Sequence, residues 1–433
     1  MFESMTQPTT PANPVRSILA ASLIGTTIEF FDFYIYATAA VLVFPKLFFS
    51  ASDPAMATLE SLATFALAFF ARPLGAALFG HFGDRKGRKA TLVAALMTMG
   101  PSTVAIGLLP GYASIGIAAP ILLAVFRFGQ GLGLGGEWGG AVLLATENAP
   151  PHKKAWYGMF PQLGAPIGFL LSTGSFFILS RTMNDSDFIN YGWRIPFIAS
   201  ALLVFVGLYV RLKITETPDF MKIVDNKQQS KMPVKDVFVK HTKAITLGTL
   251  ATITTFLLFY LMTVFTLSWG TTALNYTKSD FLILQMISML FFGLGIPLSA
   301  WLADKYGRNE MLIAATIGIM LFGIFFAFIF ISDNLFLTGV FLSLGMFLMG
   351  LSYGPIGTAL AGIFPAPVRY TGASLAFTLA GILGASLTPY LATTLAQNYG
   401  LAYVGYYLTI AAGLTLLALL GSKKMMTEPK AES

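Results

Sequence analysis

Five charged side chains lie inside long apolar runs of this sequence, where a charge is costly and usually functional. They are Glu29, Asp32, Arg72, Arg127 and Glu137. A buried carboxyl group can bind and release a proton, and a guanidinium can hold a carboxylate through two parallel hydrogen bonds. These five residues therefore predict a site that handles protons and small anions.

Asp32 is the carboxyl group best placed to bind a coupling proton. At 1.5 Å per residue it lies about 22 Å from the cytoplasmic start of its helix, near the middle of a membrane. Glu29 and Tyr36 share its helix face at spacings of three and four residues. One interpretation is a permanent salt bridge between Asp32 and an Arg. The other is proton coupling by Asp32 and Glu29, gated when a substrate occupies that Arg, and we adopt this second interpretation.

Arg127 and Arg72 are the basic groups at a similar depth. Arg127 is either a structural counter-ion or a contact for a substrate carboxylate or for Asp32, and its planar fork favours the contact. Arg72 precedes a proline, so it belongs either to the binding site or to a packing kink. Glu137 lies about 15 Å below Arg127. We expect it to act in gating or in structure rather than in substrate binding.

Neutral polar and aromatic side chains are available to complete a central site. Each of them alone is more typical of helix packing than of ligand contact, but together they can form a wall. The candidates in the first half are Tyr36, Gln130 and Gln162, and those in the second half are Tyr260, Thr263, Trp269, Gln285, Tyr353 and Thr378.

Two charged segments between apolar runs repeat one spacing of Asp, Gly and Arg. The first reads D-R-K-G-R from Asp84 and the second reads D-K-Y-G-R from Asp304, 220 positions later. A charged signature that recurs at half the chain length between membrane-length helices indicates a duplicated membrane protein. Such duplications build transporters.

The repeated segments are predicted to close a gate on the cytoplasmic side. The eleventh apolar run begins near Tyr370, and a helix N-terminus attracts an anion such as Asp84. Arg88 can pair with Glu147 at the inner end of the fourth run. The predicted gating residues are Asp84, Arg85, Arg88, Glu137, Glu147, Asp304 and Arg308.

Composition supports an all-α membrane protein. The chain of 433 residues is 55% hydrophobic and only 11% charged, against about 25% charged in soluble domains. It is long enough for twelve transmembrane helices, and its first apolar stretch reads as an uncleaved span. It contains no Cys and three His, which we place at the cytoplasmic face. A metal site and a membrane-embedded enzyme are therefore not expected.

The distribution of basic residues predicts the topology. We count 21 of the 27 Lys and Arg in the tails and connections on the side of the N-terminus. This asymmetry places both termini in the cytoplasm, and it explains the net charge of +7 without nucleic-acid binding. The predicted domains are a six-helix bundle at 17–211, a cytoplasmic connection at 212–243 and a six-helix bundle at 244–421. Within the connection, apolar residues spaced for helices indicate either short amphipathic helices or a solvated linker.

The motifs resemble those of the major facilitator superfamily. The segments at Asp84 and Asp304 are similar to its signature loop, although Ala300 stands where the first repeat has Gly80. The runs E-F-F-D-F from Glu29 and R-F-G-Q-G from Arg127 resemble the metabolite:proton symporters, and the similarity spans about 17–421. The resemblance implies the major facilitator fold, with twelve helices in two pseudo-symmetric bundles. It also implies that the Asp84 network latches the outward-facing state.

We therefore expect a secondary active transporter of the inner membrane that works by alternating access. The predicted reaction is proton-coupled uptake of a small organic acid or zwitterion, since the resembled subfamily handles dicarboxylates, shikimate-like acids, proline and betaine. The alternative is a proton-driven exporter of drugs or metabolites. We expect no cofactor beyond the coupling proton, and we expect the protein to act as a monomer.

Overall fold

The computed structural model of the chain describes residues 15–49, 54–330 and 334–426. Within these ranges all regular secondary structure is helical. Most of the two terminal tails, which the sequence analysis places in the cytoplasm, falls outside the described residues. Their orientation stays a prediction.

Six long helices form the first half, and each is apolar around most of its circumference, as expected for a membrane span. They are α1 (Val15–Leu42), α2 (Pro54–Lys86), α3 (Arg88–Leu108), α4 (Ala118–Glu147), α5 (Lys154–Thr182) and α6 (Arg194–Leu212). Short helical segments at Phe44–Leu47, Tyr112–Ile115, Pro151–Lys153, Asp185–Asp187 and Phe188–Gly192 lie between them.

The second half repeats this arrangement with two interrupted helices. Helix α7 comprises Thr242–Tyr260, a π-helical turn at Leu261–Phe265 and Thr266–Thr272. Helices α8 (Lys278–Tyr306), α9 (Arg308–Ile324) and α10 (Leu335–Ile363) follow, with a short helix at Phe326–Phe330 after α9. Helix α11 follows a 3-10 turn at Ala366–Val368 and comprises Arg369–Gly381, a π-helical turn at Ile382–Ser386 and Thr388–Tyr399; α12 is Leu401–Met426.

Eleven of these helices, within the described ranges, are long and apolar enough to cross a membrane. The ninth predicted span is not among these eleven, because α9 has only 17 residues and ends where the backbone turns at Phe325. The apolar chain then continues as the short helix Phe326–Phe330. The twelve-helix fold predicted from the sequence is therefore kept, with one span divided in two.

The helix contacts repeat between the halves. Extensive packing of α2 on α4 corresponds to that of α8 on α10, and α3 on α6 corresponds to α9 on α12. Where the two halves meet, α2 packs on α11 and α8 packs on α5. These two contacts correspond to each other under the internal repeat. This repetition confirms the pseudo-symmetric architecture, whereas the exact domain bounds stay a prediction.

Apolar side chains cover the outside of the molecule as well as its core. Leu202, Phe205, Ile410 and Leu417 are each about two-thirds exposed although they lie in the middle of long helices. Large exposed apolar surfaces mark contact with a partner or with lipid. On helices of this length, the surface fits the hydrocarbon of a bilayer.

The connection between the halves contains two short helices, Pro218–Asp225 and Pro233–Lys240. Phe220, Ile223 and Val237 are buried, whereas neighbouring side chains such as Met221 and Phe238 are exposed. Of the two interpretations of this segment, the structure supports the amphipathic helices. The second helix packs on α2, α7 and α11, so it spans both halves.

Candidate functional site

Asp32 lies in the middle of α1 and is completely buried. Its Oδ1 accepts a hydrogen bond from the Ser200 hydroxyl on α6 at 2.6 Å, and its Oδ2 accepts one from the Thr103 hydroxyl on α3 at 2.9 Å. The structure shows no direct ion pair between Asp32 and an Arg of the described chain. One hydroxyl group donates to each of its two oxygens instead, and its connection to an Arg is indirect.

A chain of hydrogen bonds joins Asp32 to Arg127. The Gln130 amide donates to Thr103 Oγ1 at 2.7 Å, and Arg127 Nη1 donates to Gln130 Oε1 at 3.0 Å. Arg127, Gln130 and Thr103 are all fully buried. A displacement of the Arg127 side chain, for example by a bound anion, can therefore reach Asp32 through Gln130 and Thr103.

The Arg127 guanidinium sits among three aromatic rings. Its Cζ lies 4.0 Å from the Tyr36 ring centroid, 4.7 Å from that of Phe33 and 5.0 Å from that of Phe65. The Tyr36 hydroxyl donates to Thr64 at 2.7 Å, which fixes this ring. Arg127 Nε and Nη2 are buried without a hydrogen-bond acceptor. The rings thus hold the guanidinium in place, while two of its nitrogens are available for an anion.

Arg72 on α2 lies between the two halves of the protein. Its Cζ is 6.0 Å from the Phe33 ring centroid on α1 and 5.9 Å from the Phe377 ring centroid on α11. The residue is 4% exposed, and its Nε has no acceptor. Among the described residues Arg72 has no ion-pair partner, so it is a second buried cation open to an anionic ligand.

Aromatic side chains from both halves close the centre of the molecule. Trp138 on α4 stacks on Phe377 with centroids 3.5 Å apart, and Tyr260 on α7 packs edge-on against Phe69 at 5.7 Å. Gln162 on α5 accepts a hydrogen bond from Trp138 Nε1 at 2.8 Å. Its amide nitrogen donates to the Tyr353 carbonyl oxygen on α10 at 2.7 Å.

Other candidates of the second half serve helix packing instead. Gln285 donates to the carbonyl oxygens of Met262 and Thr263 at 3.3 and 2.5 Å, where the π-helical turn of α7 leaves carbonyls available. Trp269 lies beyond that turn and stacks on Phe265. The structure therefore brings Tyr260 and Tyr353 to the centre but leaves Trp269 in the last part of α7.

Glu29 and Glu137 are buried between Asp32 and the N-terminal end of α1, and their surroundings differ. Glu137 forms an ion pair with Arg211 on α6, whereas neither carboxylate oxygen of Glu29 has a hydrogen-bond partner. Arg211, one of the basic residues counted on the side of the N-terminus, is 3% exposed, and its side chain reaches inward to Glu137.

Asp84 joins the two halves by binding the start of α11. Its carboxylate accepts hydrogen bonds from the Tyr370 N–H at 3.2 Å, from the Thr371 N–H at 3.0 Å and from the Thr371 hydroxyl at 2.8 Å. Arg88 lies 3.3 Å from Asp84 and 3.2 Å from Glu147. Both predicted contacts are confirmed, and Arg369 at the start of α11 adds a contact with Glu147 at 3.7 Å.

The second signature repeats this geometry with less burial. Asp304 at the end of α8 accepts hydrogen bonds from the N–H groups of Ala155 and Trp156, both at 2.8 Å, at the start of α5. Gly87 and Gly307 have φ values of 112° and 111°, so the two loops turn in the same way, and Arg308 begins α9 as Arg88 begins α3. Each half thus caps a helix of the other half.

Arg85 differs from its predicted neighbours because its side chain is exposed and contacts His81 at 3.3 Å. It lies outside the ion-pair network. Glu216 of the connection was missed by sequence reasoning: its carboxylate accepts from the Arg88 and Lys89 N–H groups at 3.0 and 3.2 Å. In the sequence Glu216 lies 128 positions after Arg88, so no local signal pointed to this contact with a helix start that lacks its own side-chain cap.

The Asp84 contacts predict a large effect of Asp84→Asn on transport rate. The substitution removes one partner of a fully buried ion pair, which typically costs about 3–5 kcal/mol. It therefore destabilises the conformation in which this contact joins the two halves. We expect slower exchange and slower net flux in proteoliposomes, with substrate affinity largely retained because Asp84 lies far from Arg127.

Lys86→Gln is the matched control, since the Lys86 side chain is exposed beside the same loop and contacts Phe82 alone among the described partners. It should transport like the wild type. Wild-type exchange and net flux in Asp84→Asn would show that the closed contact does not limit the transport cycle.

Comparisons with known proteins agree with this geometry. Two matches to the family described as "Sugar (and other) transporter" cover residues 18–245 and 228–421, one for each half. The chain is 56% identical to the inner membrane metabolite transport protein YhjE of Escherichia coli K12, over 95% of this chain and 94% of that protein. It is 35% identical to the shikimate transporter of the same organism, over 93% of both chains.

A further relative is the proline/betaine transporter of Salmonella typhimurium, with 33% identity over 96% of this chain and 85% of that protein. Among solved structures, the proton:xylose symporter XylE of the major facilitator superfamily superposes with a TM-score of 0.75 at 18% identity, over 96% of each chain. At that identity the likeness shows the fold alone. The chain therefore belongs to the sugar (and other) transporter family and has the major facilitator fold, and it is a membrane transporter of small molecules rather than an enzyme.

Proposed function

We propose that this protein is a proton-coupled symporter that takes up a small organic acid or zwitterion by alternating access. The observation that carries the proposal is the buried chain from Arg127 through Gln130 and Thr103 to Asp32. It connects a cation able to bind a substrate carboxylate with a carboxyl group able to bind a proton. Coupling requires such a connection, because substrate binding has to change the protonation of a separate group.

The substrate in this proposal lies between the halves, near Arg127 and Arg72. Both guanidiniums are buried with an unpartnered Nε, and a carboxylate would supply the missing acceptors. Tyr36, Gln130, Gln162, Tyr260 and Tyr353 surround this region and would shape the rest of the site. The shikimate and proline/betaine transporters among its relatives carry a carboxylate-bearing solute, which fits two available cations.

Alternating access in this proposal uses the two helix caps on the cytoplasmic side. In the present conformation Asp84 binds the start of α11 and Asp304 binds the start of α5. Release of both contacts would separate the halves there and open the centre to the cytoplasm. We also propose that the protein acts as a monomer in the inner membrane, with both termini in the cytoplasm and with the proton as its sole coupling partner.

Uptake into proteoliposomes tests this function directly. Radiolabelled shikimate, proline, glycine betaine and small organic acids are offered to vesicles with an acidic exterior, with and without a protonophore. We expect at least one compound to accumulate inside, and the protonophore should abolish its accumulation. Accumulation that appears only when the vesicle interior is acidic would instead identify a proton-driven exporter.

A further inference from the structure

A second buried charged cluster lies on the cytoplasmic side of Asp32. It consists of Glu29 on α1, Glu137 on α4 and Arg211 on α6, which are 0%, 1% and 3% exposed. Arg211 Nη2 pairs with Glu137 Oε1, and Arg211 Nη1 donates to the Leu92 carbonyl oxygen at 2.9 Å. The cluster therefore contains two carboxyl groups and one arginine that binds one of them.

Because residue 25 is a glycine, the ion pair of Arg211 and Glu137 can pack directly against α1. A Cβ added to Gly25 would lie 3.1 Å from Glu137 Oε1 and would collide with the Arg211 guanidinium. Glu29 is one helical turn after Gly25, and Asp32 is almost one turn after Glu29. The ion pair, Glu29 and Asp32 thus follow one another along a single helix, from the cytoplasmic side towards the centre.

None of the charged residues described around Glu29 forms an ion pair with its carboxyl group. The nearest charges belong to Glu137 on α4, Arg211 on α6 and Arg72 on α2. Arg211 is bound to Glu137, and Arg72 contacts the rings of Phe33 and Phe377. Tyr34 on α1 and Tyr353 on α10 are the neighbouring phenol groups.

The hydrogen bonds distinguish the two carboxyl groups of α1. Both oxygens of Asp32 accept from hydroxyl groups, which stabilises an ionised carboxylate. Both oxygens of Glu29 are buried without a donor. An ionised carboxylate in such a place is far more costly than a neutral one, so Glu29 favours the protonated form.

We propose that Glu29 and Glu137 share one proton, that Arg211 decides which of them is ionised, and that the proton lies on Glu29 in the present conformation. This inference rests on the proposed proton coupling and adds the route by which the proton leaves. When Arg211 moves from Glu137 to Glu29, the O–H bond of Glu29 breaks and its carboxylate pairs with Arg211. The proton forms an O–H bond with the Glu137 carboxylate, which has lost its cation.

The last step of this route leads to the cytoplasm. A small cavity lies beside the cluster, lined by Arg211 together with Lys89, Leu92, Leu144 and Ile214. It has space for about one water molecule. Arg211 contacts both Glu137 and this cavity, so the proton would leave the cluster at the end of α6 that carries Arg211.

Infrared spectroscopy of the purified full-length protein at neutral pH tests the proposal without transport. A protonated carboxyl group has a C=O band separate from the carboxylate bands, and we expect one such band in the wild type. Glu29→Gln should remove it. Glu137→Gln should remove it as well, because Arg211 is then free to pair with Glu29 and ionise it.

Two variants should keep the band: Asp32→Asn, which lies outside the cluster, and Glu60→Gln, which replaces an exposed carboxylate of α2. Uniform ¹³C-glutamate labelling of the wild type should shift the band, which assigns it to a Glu even if a variant fails to fold. A wild type without the band, a band insensitive to glutamate labelling, or a band retained in Glu29→Gln would overturn the proposal. Proton coupling itself is decided separately by pH-driven uptake.

Discussion

Asp32→Asn is expected to abolish uptake driven by a pH gradient while substrate exchange continues. Asparagine resembles the protonated carboxyl group and cannot release a proton, so the coupled cycle stops. A gradient of one pH unit corresponds to 1.36 kcal/mol per proton, enough for about tenfold accumulation. The wild type should approach this ratio in proteoliposomes, and the variant should reach only equal concentrations on both sides.

The structure also indicates that Asp32→Asn should fold. Asp32 is bound by the Ser200 and Thr103 hydroxyls rather than by a buried Arg, so the substitution leaves no cation without its partner. A hydroxyl can donate to the asparagine oxygen or accept from its nitrogen. Retained counterflow exchange would verify folding in the same vesicles. Accumulation at the wild-type ratio would remove Asp32 from the coupling mechanism.

Arg127→Lys is expected to weaken binding of a carboxylate substrate at least about tenfold, which corresponds to 1.4 kcal/mol. Lysine keeps the positive charge but loses the planar fork, and Nε and Nη2 are the nitrogens left available for an anion. It also loses the stacking of the guanidinium on Tyr36. Half-saturation of counterflow, with the best substrate from the uptake screen, measures this change.

Arg16→Lys provides the matched control, because it makes the same exchange at an exposed position at the start of α1. It should bind substrate like the wild type. If Arg127→Lys binds equally well, then Arg127 does not hold the carboxylate. Its contacts with Gln130 and the three rings would then be structural.

Much of the architecture could be predicted from the sequence because it depends on strong, local or repeated signals. Charges inside apolar runs are rare and costly, so Glu29, Asp32, Arg72, Arg127 and Glu137 stand out without a structure. The pairing of Asp84 with the start of α11 was also predictable, because a repeated acidic residue and a helix N-terminus attract each other wherever they meet. The central positions of Arg127 and Arg72 followed from helix geometry alone.

The partners of those charges depended on tertiary structure. Ser200 and Thr103 bind Asp32, yet Ser and Thr are common in membrane helices and carry no distinctive signal. Which of them faces Asp32 depends on how α3 and α6 are rotated against α1. The same rotation decides that Arg127 reaches Asp32 through Gln130 rather than directly.

Arg211 shows most clearly what could not be predicted from the sequence alone. By sequence it is a basic residue at the end of an apolar run, which is typical of a cytoplasmic helix end. The long arginine side chain instead extends back into the protein, because Glu137 lies within reach and Gly25 leaves space against α1. The sequence alone therefore determined the fold class, the repeat and the set of buried charges. Only the packing of α1, α4 and α6 decided which of those charges are paired.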